Sequence, residues 1–197
     1  PAIHCTRCGI ASTYPGITYD EAGVCNICRD FDRYRDQAAQ YFKDMDELHA
    51  LAEQIKANRR GDYDCIALLS GGKDSTYMLY RLVNMGLNVL AFTLDNGYIS
   101  DTAKANIRRV TTALGVDHMY GQTPFMNEIF TDSLRRYANV CNGCFKTLYT
   151  LALNVARERG IRAIVTGLSR GQFFETRLTP ELFDTPDFDV NAIDDAI

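Results

Sequence analysis

A parallel, twisted α/β sheet with helices on both faces, preceded by a small cysteine-knuckle ribbon, is the architecture this sequence predicts. Three observations carry that expectation. From Cys65 onward, short apolar runs alternate with segments of helical spacing, the pattern of successive βαβ units. One of those runs, "CIALL", passes through "SGGKDS" directly into a helical segment. Ahead of both, the CxxC knuckles Cys5/Cys8 and Cys25/Cys28 stand 16 residues apart.

The 197 residues, 46% of them hydrophobic, suffice for one full domain with a small appendage. The expected divisions are a ribbon over 1–30, a linking helix over 31–60, a nucleotide domain over 61–175 and an acidic tail over 176–197. The sequence contains no apolar run of the roughly 18 residues that span a bilayer, and "PAIHCTRCG" is no signal pattern. No membrane association and a cytoplasmic protein with reduced thiols are therefore expected. A net charge of −4 argues against a large nucleic-acid footprint, because phosphate binding needs concentrated Lys and Arg. That balance favours a small-molecule or carrier-bound substrate over tRNA, unless Arg108/Arg109, Arg135/Arg136 and Arg157/Arg159/Arg162 fall on one side.

In the ribbon, Cys5, Cys8, Cys25 and Cys28 supply four thiolates, the donor set of a closed structural zinc site with no open position for catalysis. "YPG" and "DEAG" between the knuckles suit two short hairpins around the metal. A ribbon of this size holds no core of its own, so Zn2+ would supply most of its folding free energy. Next, the apolar positions Phe31, Tyr34, Ala38, Tyr41, Met45, Leu48, Ala52 and Ile55 alternate steps of three and four. That seam predicts one long helix, packed on the following domain or paired in a homodimer.

The domain then opens. Strand, glycine turn and helix cradle phosphate, because glycines let backbone amides approach an anion and the helix start adds its positive end. Ser70, Gly71, Gly72, Lys73, Asp74 and Ser75 form that turn. With adjacent glycines it is not the Walker loop, which places four residues between its first glycine and Gly-Lys-Ser/Thr. "LNVLAFTLDNG" predicts a second strand ending at Asp95, "VDHMYGQ" a short third and "IRAIVTG" a fourth, with helices between. Ligands of such sheets bind at the carboxyl ends of the strands, where Ser70–Ser75, Asp95–Gly97, His118 and Thr166–Arg170 are expected to gather.

"SGGKDS" resembles the loop of the PP-loop ATP pyrophosphatases, whose fold is that of the adenine nucleotide alpha hydrolases. Those enzymes cleave ATP between the α and β phosphates and adenylate a substrate oxygen, which sulfur or nitrogen then displaces. The resemblance implies that Ser70, Gly71, Gly72 and Ser75 hold pyrophosphate, Lys73 steadies its charge and Asp74 helps bind Mg2+. It also implies that Asp95 and Gly167 lie near the adenosine and the α-phosphate. The ribbon is similar to that of the N-acetyl sugar amidotransferases, which implies ammonia from a glutaminase subunit. "CNGC" at 141–144 looks more like the PP-loop thiolases, which implies a sulfur donor.

Cys141 and Cys144 therefore stand as candidate catalytic thiols, since a helix starting beside them can lower a thiol pKa. In many such thiolases the pair joins a third cysteine around an iron–sulfur cluster. Cys65 cannot serve, lying five residues before Ser70, roughly 16 Å down the strand at about 3.3 Å per residue. A second zinc half-site and a purely structural pair remain open. Arg170 and Arg177 are candidate forks for a substrate phosphate or carboxylate, or plain solvated charges. The reading of the whole is an ATP-dependent, AMP-forming thiolation, with sugar amidation and a zinc-ribbon adaptor that binds ATP without turnover as rivals.

Overall fold

The computed structural model of the protein describes residues 2–169 and 172. They fall into two compact units, one ending at Asp44 and one running from Met45 to Ser169.

In the first unit, two turns are closed by antiparallel bridges, His4 to Ala11 and Tyr19 to Cys25. Polar groups shape them locally. The Gly9 N–H donates to Cys5 O at 3.0 Å, and the Asp20 carboxylate accepts from Ala22 N at 3.0 Å and Val24 N at 2.9 Å, folding "DEAG" on itself. Helix α1 (Asn26–Tyr41) starts from Cys25, whose sulfur accepts from Cys28 N at 3.4 Å. Arg7 grips Asp32 of α1 with both terminal nitrogens, and that hydrogen bonding holds the Asp32 carboxyl below its ordinary range. Both side chains are exposed, so the pair adds little stability.

The single helix expected over Phe31–Ile55 is two helices. Phe42 leaves α1 with extended backbone, φ −88° and ψ 114°, and α2 (Met45–Ala57) starts afresh. The reason lies in "DMDE": Asp44 three residues ahead of Glu47 is a helix-start pattern, and Asp46 and Glu47 favour the positive end of a new helix. The apolar seam ran unbroken across two elements. Its second half packs inward, with Ala52 buried and Ile55 against the second unit's own core.

That unit is a four-stranded sheet in the order β3-β2-β1-β4, every neighbouring pair parallel. Its strands are β1 (Cys65–Leu68), β2 (Val89–Leu94), β3 (Asp117–Gly121) and β4 (Ile164–Thr166), joined by α3 (Lys73–Asn84), α4 (Asp101–Leu114), α5 (Met126–Tyr137) and α6 (Cys141–Arg159). Alternation along β1 serves both faces. Cys65, Ala67 and Leu69 belong to the core with Leu79 and Leu82 of α3 and Ile107 of α4. Ile66 and Leu68 belong to the core with Ala152 and Ala156 of α6. Cys65 is wholly buried and its thiol is pushed up to about 12 by desolvation, as befits an inert strand residue.

The chain steps from β1 to β2 to β3 and then returns to place β4 on the other side of β1. A crevice opens where strand order reverses in this way, here between β1 and β4. His118 is not at that edge. It is the second residue of β3, pairs with Ala91 and holds Thr93 Oγ1 at 2.9 Å through Nε2, and desolvation lowers its pKa. Arg157 and Arg159 on the last turn of α6, and Arg162 just before β4, lie at the amino edge, so they share no patch with the carboxyl edge.

Phe92 is fully buried in β2. Phe92→Ala is expected to cost about 3–5 kcal/mol in urea unfolding, while Leu153→Ala, at a 58% exposed position, stays within about 0.5 kcal/mol.

Candidate nucleotide and thiol site

The turn after β1 is built to leave a helix start open. Gly71 has φ +80°, and a Cβ there would stand 2.8 Å from Ala103 O on α4, so only glycine fits. Its carbonyl accepts from Asn106 Nδ2 at 2.6 Å. Gly72 caps α3 without any side-chain acceptor, leaving the first helical amides for an anion. Around them the hydroxyls of Ser70 and Ser75 stand 3.0 Å apart, Ser70 N donates to Ser75 Oγ at 3.2 Å, and Ser75 Oγ donates to Gly72 O at 3.3 Å. Lys73 and Asp74, both exposed on the first turn of α3, pair at 3.0 Å.

Gly167, just after β4, packs against that same helix start. A Cβ there would meet Ser75 Cα at 2.8 Å and Ser75 N at 2.9 Å, so the β1–β4 crevice needs a residue without a side chain. Asp95 follows β2 and is held from three sides: Gly97 N at 3.1 Å, Gln122 Nε2 at 3.2 Å and Lys104 Nζ at 3.7 Å. The structure therefore brings Ser70–Ser75, Asp95–Gly97 and Gly167 to one edge. Arg170 and Arg177 lie outside the described residues.

The two thiols join that edge from α6. Helix α6 begins at Cys141 itself, so both cysteines ride its first turn. Cys141 is exposed and Cys144 half-buried. Cys144 Sγ lies 3.7 Å from Asn96 Nδ2, in the loop that also holds Asp95. The glycine between the thiols is a packing residue: a Cβ at Gly143 would stand 2.8 Å from Ile129 Cγ2 of α5. Unlike α3, this helix start is closed. Asn139 Oδ1 takes Cys141 N at 2.6 Å and Asn142 N at 3.4 Å, and Ser133 Oγ takes Gly143 N at 3.0 Å. The signal for this closed start is the Asn just ahead of the helix in "ANVCNGC", a residue type that caps helix starts. Asn106 and Lys104, on the surface of an ordinary amphipathic helix, offered none.

Among the described residues, one cluster of three or more possible metal ligands exists, and it is the ribbon's. Its four sulfur atoms lie within 4.8 Å of one another, with Cys8 and Cys25 at 3.7 Å. Sulfurs of a tetrahedral site about 2.3 Å from the metal stand about 3.8 Å apart, so the donors fit a tetrathiolate zinc. Burial raises the Cys5 thiol, but N–H donors from Cys8, Cys25 and Arg7 outweigh it and bring it down to about 6. Burial, with hydrogen bonds to the other thiols, pushes Cys28 up to about 12. Metal entry must displace that proton, so affinity weakens as pH is lowered. Cys141 and Cys144 find no third ligand among the described residues, and that pair alone does not fit an iron–sulfur cluster.

The family described as Thiamine biosynthesis protein (ThiI) matches residues 61–179, more than half of the chain. Over 153 residues the chain is 29% identical to an uncharacterized protein of Methanocaldococcus jannaschii, covering 77% of this chain and 53% of that one. Over 116 residues it is 34% identical to a probable tRNA sulfurtransferase of Methanothermobacter thermautotrophicus, covering 54% of this chain and 29% of that one. The chain thus spans about half or less of the curated relatives it matches. Among solved structures, the NH3-dependent NAD synthetase of Campylobacter jejuni superposes with a TM-score of 0.51 at 14% identity, over 66% of this chain and 57% of that one. That likeness bears on the fold alone.

Purified protein is expected to carry about one zinc per chain. Cys25→Ser should release it and open residues 2–30 to protease while the sheet stays resistant. Gly71→Ala forces a strained φ worth about 1–3 kcal/mol, and calorimetry should show ATP affinity down about tenfold with the melting transition retained.

Proposed function

The chain belongs to the ThiI family of PP-loop proteins, and from that membership we propose an ATP-dependent, AMP-forming sulfur transfer. The observation that best supports it is the 3.7 Å contact between Cys144 Sγ and Asn96 Nδ2, because Asn96 follows the β2 strand whose carboxyl end neighbours the phosphate loop.

The β and γ phosphates of ATP bind the uncapped start of α3, with the Ser70 and Ser75 hydroxyls as donors. Lys73 meets the charge that builds on departing pyrophosphate. Asp74 is the one carboxylate on that turn, which suits magnesium held mainly by phosphates and water. Magnesium supplies further charge neutralisation there. A substrate carbonyl oxygen attacks the α-phosphorus, and pyrophosphate leaves with the bonding pair. A persulfide on Cys144, loaded by an external sulfur donor, then attacks the activated carbon; the carbon–oxygen bond breaks and AMP leaves. Attack by the Cys141 thiolate on Cys144 Sγ cleaves the sulfur–sulfur bond, frees the thiocarbonyl product and leaves a disulfide for an external thiol to reduce.

The substrate named for the Methanothermobacter relative is tRNA, which favours an RNA carbonyl over the small molecule suggested by the acidic composition. Tyr98, 69% exposed two residues beyond Asn96, offers an aromatic face there on which a base can stack. A sugar amidation would use the same adenylate and leave both thiols idle.

With unmodified tRNA, ATP and a persulfide donor, the protein is expected to release AMP and pyrophosphate and to thiolate the RNA. Cys144→Ser should lower thiolation by about 100-fold or more while ATP–pyrophosphate exchange stays within about twofold; Lys73→Ala should lower both. Thiolation that survives Cys144→Ser would overturn this assignment.

A further inference from the structure

We propose that Asn96 is a positioning residue that selects Cys144 over Cys141 as the reactive thiol. This rests on the sulfur-transfer reading only for its consequence, since the selection itself is a property of the free protein.

The amide of Asn96 has one orientation. Its Oδ1 accepts from Tyr98 N at 2.9 Å, which leaves Nδ2 to face Cys144 Sγ at 3.7 Å. An N–H aimed at sulfur favours the thiolate over the thiol. Elsewhere on this turn the donors are spent. Cys141 N and Asn142 N go to Asn139, Gly143 N to Ser133, and Cys144 N to Val140 O at 3.1 Å. A thiolate at 144 therefore depends on a donor from outside its helix, and Asn96 is that donor.

Both ends of the contact are anchored to α5. The Tyr98 hydroxyl donates to Asn127 Oδ1 at 2.8 Å, and its ring lies 5.7 Å from that of Phe130. On the other side, bare Gly143 lets α6 lie against Ile129 and Ser133. One helix thus sets both the loop that carries the donor and the turn that carries the sulfur. Among the described residues no such donor reaches Cys141 Sγ, which is exposed on the same helix turn and whose own amide is occupied by Asn139. The charged groups nearest the loop, Asp95 and Lys104, are engaged with each other, and Lys146 of α6 sits over the Tyr137 ring.

The test is the alkylation rate of each cysteine by iodoacetamide, followed by mass spectrometry across pH 6–9 in the full chain without ATP or sulfur donor. Asn96→Asp keeps the acceptor that holds Tyr98 N but replaces the donor with a carboxylate. Cys144 should then react about tenfold more slowly at pH 7 while Cys141 stays within about twofold. Asn96→Ala should give a smaller slowing, again confined to Cys144, and serves if the carboxylate disturbs folding. Equal slowing of both cysteines, or none at Cys144, overturns the proposal. Because the assay needs no turnover, a protein that fails to thiolate RNA but shows selective slowing rejects the sulfur-transfer reading and keeps this one.

Discussion

The backbone of Gly71 meets the backbone of α4 with no room for a side chain between them, and the arrangement of the carboxyl edge follows from that contact. Ala103 O would stand 2.8 Å from a Cβ at Gly71, and Asn106 draws in the Gly71 carbonyl at 2.6 Å. Held at that point, the chain turns from β1 into α3 with its first amides outward and uncapped. Gly167 closes in from β4 against Ser75 on the other side. The crevice made by reversal of strand order is lined by backbone on both walls. Backbone donors suit an oxyanion whose charge is spread over several oxygens, and they cost no side-chain entropy to place.

The starts of α3 and α6 at this edge are finished differently. That of α3 has no side-chain cap, whereas that of α6 is filled by Asn139 and Ser133. Under the proposed function this difference keeps two chemistries apart: phosphate is drawn to the open start of α3, and the thiols on α6 are left clear of it. The buried Ser133 hydroxyl does double service, accepting from Gly143 N and donating to Asn139 O at 2.6 Å, so the hinge between α5 and α6 is tied by one side chain.

The ribbon rests on another principle. Its buried residues are Cys5, Cys25 and Cys28, with Ile10, Ile17, Tyr19 and Val24 around them, too little apolar area to stand unaided. Its four sulfurs are spaced for one tetrahedral ion, and N–H donors from Arg7, Cys25 and Cys28 already point at two of them.

Much of this was legible in sequence because it depends on local rules. Continuous apolar runs marked β1, β2 and their place in a parallel sheet; "SGGKDS" marked the glycine turn after β1; two CxxC pairs marked the ribbon cluster. The break at Phe42–Asp44 was written in "DMDE", but a seam with steps of three and four fits two successive helices as well as one. His118 was misplaced because β3 runs on past it to Gly121, which leaves it within the strand beside Ala91 and not at its carboxyl end. What sequence could not contain is contact between positions far apart in the chain. Asn96 lies 48 residues from Cys144, and Asn106 lies 35 from Gly71. Each is an ordinary polar residue in its own segment, and only the order in which the strands assemble brings it to a thiol or a glycine carbonyl. Local chemistry therefore determined which residues could act; tertiary packing decided which act together, because proximity across a sheet edge is a property of topology and not of spacing.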